Sequence, residues 1–67
     1  MTYKQIEDMS VSAKWDIVLS VCTTEKEQII LDYITSVYGY NYEPLDLFLY
    51  SQFGYHVNQF IEMVLNG

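Results

Sequence analysis

A solitary cysteine, Cys22, in a chain of 67 residues removes the devices that small domains most often use in place of a large core. No disulfide can close within the chain. With His56 as the only other soft ligand, a structural zinc site would lack its usual four donors. A chain of this length buries only about 60% of its unfolded surface, near the lower limit for folding alone. Stability must then come from tight helix packing or from self-association.

The pattern of breakers and caps supports helices. Thr2-Tyr3-Lys4-Gln5 and Thr24-Glu25-Lys26-Glu27 both match the capping box, in which a threonine hydroxyl and a Gln or Glu three residues on satisfy orphan amides. Gly39, Gly54 and Gly67 fall where helices would stop, and Pro44 suits a first helical position. Between these marks the apolar residues recur at helical spacing. Ile29, Ile30, Tyr33, Ile34 and Val37 form one stripe, and Val57, Phe60, Ile61, Val64 and Leu65 form another. The spacing predicts helices over Tyr3–Met9, Ser12–Cys22, Glu25–Tyr38, Pro44–Phe53 and Tyr55–Leu65. Three places are ambiguous, the first being Leu45 to Tyr50, which begins with strand-like alternation until Phe48 breaks the period. Residues 16–23 are β-branched enough for a buried strand, although Trp15, Val18, Leu19 and Cys22 also make a helical stripe. Gly54 could be a bend inside one longer helix. The expected fold is all-α: a single domain, residues 1–67, built as a compact bundle of four to five short helices.

Composition narrows the function. Nine carboxylates face three lysines and no arginine, giving a formal net charge of −6. Without a guanidinium the chain cannot make bidentate contacts to phosphates or base edges. Three scattered lysines cannot neutralise a nucleic-acid backbone either, and anionic lipids would repel such a surface. Direct nucleic-acid binding and membrane binding are therefore not expected. The longest apolar runs, such as Ile17 to Cys22, are far too short for a membrane span, and the acidic start is no secretory signal. One unpaired cysteine fits a reducing compartment, so the expected location is the cytoplasm.

Chemistry of the enzymatic kind lacks its parts. Cys22 has one histidine in the whole chain to serve as its base, and it lies in an apolar stripe, where a free thiol behaves as a small hydrophobe. There is no glycine-rich phosphate loop and no His-x-x-x-His pair. Neighbouring acids such as Glu25 and Glu27 read as solvated first turns favoured by the helix dipole. No catalytic, cofactor-binding or metal residue is assigned.

Two features remain for a partner. Tyr38, Tyr40 and Tyr42 alternate through the connection before Pro44, and tyrosine offers a large, stiff contact area with a polar tip. The alternative is that these rings fold back to cap a small core. Carboxylates supply the second feature: Glu25 and Asp32 are two helical turns apart and share a face, with Glu43 and Asp46 following the tyrosines. Uncompensated charge of this kind costs stability through self-repulsion, which invites a functional explanation. The seven residues Glu25, Asp32, Tyr38, Tyr40, Tyr42, Glu43 and Asp46 are the expected partner-binding set.

In size, acidity, absence of arginine and abundance of tyrosine, the whole chain resembles the small inhibitor proteins of phages and mobile elements, including anti-CRISPR and DNA-mimic proteins. That resemblance implies a cytosolic protein of a bacterial host that blocks a basic, nucleic-acid-binding protein such as a Cas nuclease, restriction enzyme, repair enzyme or transcription factor. It implies nothing about fold. With 51% hydrophobic residues, more than a small interior can hold, a second expectation is a structural or adaptor protein that self-associates. A homodimer through the stripe Val57, Phe60, Ile61, Val64 and Leu65 would be its form.

Overall fold

The computed structural model describes residues 1–67 and contains five α-helices and no strand. They are α1 (Tyr3–Glu7), α2 (Val11–Val21), α3 (Glu25–Tyr38), α4 (Tyr42–Phe53) and α5 (Val57–Asn66). The fold is thus an all-α bundle, and the β-branched run at residues 16–23 is helical through Val21. Both threonine capping boxes form: Thr2 accepts from the Gln5 amide, and Thr24 accepts from the Glu27 amide at 3.2 Å. A third cap comes from Ser10, whose hydroxyl accepts from the Ala13 amide and starts α2 one residue before the expected Ser12.

Two further helix starts differ from expectation. Helix α4 begins at Tyr42, which places Pro44 at its third position instead of its first. The first four amides of a helix have no intrahelical acceptor, so proline's missing N–H costs nothing there. Helix α5 begins at Val57, not Tyr55, because Gly54 ends α4 in the left-handed region (φ 78°) and His56 is extended. Gly54 is therefore a true stop and not a bend.

Helix α5 is the centre of the molecule. It packs against α1, α2 and α4, the three principal helix pairs, and buries Val57, Phe60 and Ile61. Around it lie Ile6 of α1, Trp15 and Val18 of α2, Cys22, and Leu45, Phe48 and Leu49 of α4. Burying each such side chain is worth about 1.5–3 kcal/mol. The stripe that suggested self-association is consequently spent on the interior: only Leu65 of its five residues is exposed, with Val64 half-buried.

Helix α3 behaves differently. Its one buried residue is Leu31, which is absent from the predicted stripe. Of that stripe, Ile30 and Ile34 are half-buried, while Ile29, Tyr33 and Val37 stand in solvent, Tyr33 with 64% of its surface exposed. The longest helix of the fold thus keeps most of its apolar face outside the core.

Candidate interaction surface

The connection between α3 and α4 is only Gly39-Tyr40-Asn41, so Tyr38 closes one helix and Tyr42 opens the next. Asn41 ties this connection down. Its carbonyl accepts from the Trp15 indole at 3.0 Å, and its side-chain amide donates back to the Tyr38 carbonyl. Held this way, the three tyrosines diverge. Tyr40 lies edge-on to the buried Trp15, with ring centroids 5.5 Å apart at 84°. Tyr42 presents its ring to the Lys14 ammonium at 5.3 Å from the centroid. Burial, with the Asp46 carboxylate and Tyr3 nearby, raises the Tyr42 phenol above its usual range. Tyr38 makes no such contact and lines a groove; it is exposed, as Tyr40 is. All three rings remain exposed, Tyr40 and Tyr38 the most, while Tyr40 and Tyr42 also make these contacts to Trp15 and Lys14.

Lys14 is the unexpected member of this region. It is 4% exposed, and its ammonium donates to Asn58 Oδ1 at 2.7 Å beneath Tyr42. No carboxylate lies within ion-pair distance of it. The remaining lysines, Lys4 and Lys26, are exposed, and none of the nine carboxylates is buried. Folding therefore makes the outer surface more one-sided than the sequence count suggests, with two lysines against nine acids.

The expected acids take separate places. Glu25 and Asp32 are exposed on α3, and Glu43 is exposed in the first turn of α4. Asp46 is turned inward to a neighbouring helix. Its Oδ1 accepts from the Val57 amide at 3.0 Å, and both oxygens sit 3.2 Å from His56 Nδ1. The His56 ring also stacks on Tyr50, with centroids 4.9 Å apart. Asp46 thus caps α5 from outside, a role that its place in the sequence does not reveal.

Between α3 and α4 runs an open groove of about 880 Å³, lined by Ile30, Ile34, Tyr38, Pro44, Leu47 and Phe48, with Glu43 at its edge. Leu47 is 65% exposed there. Of these residues only Tyr38 and Glu43 belong to the set expected from the sequence. The signal that could have found the others is the hydrophobic excess itself, combined with the stripe on α3.

The remaining reactive groups are occupied elsewhere. Cys22 is buried at the end of α2, where desolvation and the neighbouring Glu27 carboxylate push its thiol up to about 11. Glu27 is held below its usual 4.5 by the Thr24 hydroxyl, which donates to it at 2.7 Å. No three His, Cys, Asp or Glu side chains converge to hold a metal ion, and no helix is long and apolar enough to cross a membrane. The chain matches no family model, and neither a curated protein nor a solved structure shows significant similarity to it.

Proposed function

We propose that the protein is a non-enzymatic inhibitor that binds a basic, nucleic-acid-handling protein and occludes its cationic surface. A Cas nuclease, a restriction or repair enzyme, or a transcription factor has the required chemistry. The observation that carries this is the folded charge distribution: nine exposed or half-exposed carboxylates stand against Lys4 and Lys26, with Lys14 withdrawn inside. Such a surface steers toward clustered Lys and Arg, raising the association rate at low salt. Glu25, Asp32 and Glu43 are its freest acids on α3 and α4, and Tyr38 and Tyr40 are the most exposed tyrosines of the connection and available as anchors. Tyr42 is the least exposed of the three tyrosines and would add to the contact at its edge, while Asp46 contributes by holding α5.

The test is a tagged pull-down from host lysate, washed across a salt series and read by mass spectrometry. Capture of a basic nucleic-acid enzyme that elutes as salt rises is the expected result. Capture that ignores salt, or recovery of the protein alone, refutes the electrostatic mechanism.

A further inference from the structure

We infer that Asn66 is a site of self-modification: the Gly67 amide nitrogen converts its carboxamide to aspartate or isoaspartate, at a rate governed by the contact between Asn66 and Met1. Three observations converge on this residue. Of the three asparagines only Asn66 precedes a glycine; Asn41 precedes Tyr42 and Asn58 precedes Gln59. Glycine, lacking a Cβ, leaves its backbone nitrogen open to the neighbouring side chain, where tyrosine and glutamine crowd it. The other two carboxamides are tied within the fold. Asn41 Nδ2 donates to the Tyr38 carbonyl, and Asn58 Oδ1 accepts from the buried Lys14 ammonium. Asn66 instead is exposed in the last turn of α5, and its side-chain hydrogen bonds go to Met1. Its Oδ1 accepts from the Met1 amino group at 3.3 Å, and its Nδ2 donates to the Met1 carbonyl at 2.9 Å.

The reaction needs only water. The Gly67 nitrogen gives up its proton to hydroxide and attacks Asn66 Cγ; the Cγ–Nδ2 bond breaks, ammonia leaves and a cyclic imide closes. Water then opens the imide at either carbonyl. Aspartate results if the new N–Cγ bond breaks, isoaspartate if the original peptide bond breaks. In sum a carboxamide and water become a carboxylate and ammonium. Two contacts hold the step back. The Gly67 N–H donates to the Met63 carbonyl at 2.9 Å, and Met1 holds the carboxamide toward α1. The first yields readily, because helix ends fray. The second is restored by α1 itself, which the Thr2 capping box and the buried Ile6 anchor on α5. A side chain at Gly67 would press on the Met63 carbonyl, so the helix end favours the same glycine that makes the pair reactive. The product weakens this contact. Aspartate still accepts from the Met1 amino group but has no donor for the Met1 carbonyl. Isoaspartate also lengthens the backbone by one carbon and displaces the Gly67 amide. Either adds one negative charge to the −6 of the chain and loosens α1 from α5.

The full chain, made by chemical synthesis so that Met1 is retained, is incubated folded at mildly alkaline pH. Conversion is followed by peptide mapping with mass spectrometry, and by ammonia release. Asn66 is expected to convert while Asn41 and Asn58 stay intact. A chain without Met1 should convert roughly 10-fold faster, the effect of removing two hydrogen bonds of ordinary net strength. Nα-acetylation of Met1, which removes only the charge, is the milder variant and should raise the rate in the same direction. Asn66→Gln keeps a carboxamide but would have to close a larger ring, so it should release no ammonia from this position. The converted protein, separated by its added charge on anion exchange, should show faster amide exchange over Tyr3–Glu7, with Phe60 and Ile61 unchanged. Equal conversion of Asn41 or Asn58, or conversion of Asn66 only after unfolding in urea, would overturn the assignment of the site. A rate that stays the same or falls when Met1 is acetylated or removed would overturn its control by this contact.

Discussion

Replacing Asp46 with alanine isolates the strut between α4 and α5. The wild-type carboxylate accepts the Val57 amide at 3.0 Å and approaches His56 Nδ1 at 3.2 Å. Loss of a helix N-cap side chain costs about 0.5–2 kcal/mol, typically about 1. The His56 pair is more exposed, with 58% of the imidazole accessible, so its share is at most about 1 kcal/mol. Asp46→Ala should then lower stability by about 1–2 kcal/mol. In a domain of this size each kcal/mol moves the midpoint by about 4–8 °C, so thermal unfolding followed by circular dichroism should fall by roughly 5–15 °C. Asp46→Asn keeps an oxygen for the Val57 amide and should recover about half of the loss. Glu43→Ala, three residues earlier on an exposed face of the same helix, should cost no more than about 0.5 kcal/mol. If Asp46→Ala melts with the parent, or no lower than Glu43→Ala, Asp46 does not hold α5 and is free to serve as a partner contact.

Other outcomes follow from the same packing. Asn58→Leu removes the acceptor of the buried Lys14 ammonium and should cost about 1–3 kcal/mol in urea unfolding, while Lys14→Met together with Asn58→Leu should regain part of it; an additive loss would refute the pairing. Cys22, raised to about 11, should react with a thiol reagent at pH 8 ~100-fold more slowly than a thiol at its ordinary 9.0, because only the thiolate attacks; labelling at the free-thiol rate would place it outside the core. Since its folded value is the higher one, burial of Cys22 adds stability that is complete below about pH 9 and lost as pH rises toward about 11. Glu27 has the opposite sign. Its folded value is lowered, so its contribution is present above 4.5 and disappears as pH falls through the folded value; a carboxyl NMR titration should show this, and Thr24→Val should return Glu27 to its ordinary range.

Local chemistry made much of the fold legible. The bounds of α3 follow from Thr24 and Gly39, and the end of α4 follows from Gly54, because caps and left-handed stops act within a few residues. Helix starts were less legible: Pro44 is tolerated anywhere in a first turn, so it marks one without fixing its first residue. Periodicity told which residues share a face but not whether another helix covers that face. Hence the stripe on α5 went to the core and most of the stripe on α3 did not. The candidate surface was legible only as a surplus of carboxylates and apolar residues. The inward use of Asp46 and the burial of Lys14 depend on Val57 and Asn58, 11 and 44 positions away in the chain, and no local pattern encodes such pairings.

The uneven share of the core among the helices sets an order of opening. Helix α5 is gripped by three neighbours, whereas α3 is pinned by Leu31 and two half-buried isoleucines. Amide hydrogens of α3 should therefore exchange through local fluctuations well before those of α5, which open only with the whole fold. A ligand seated on α3 would slow that exchange in proportion to its occupancy, since whatever binds only the closed form deepens it. The least secured helix is in this sense the most sensitive reporter: protection gained there, with α5 unchanged, would record a bound partner before its identity is known.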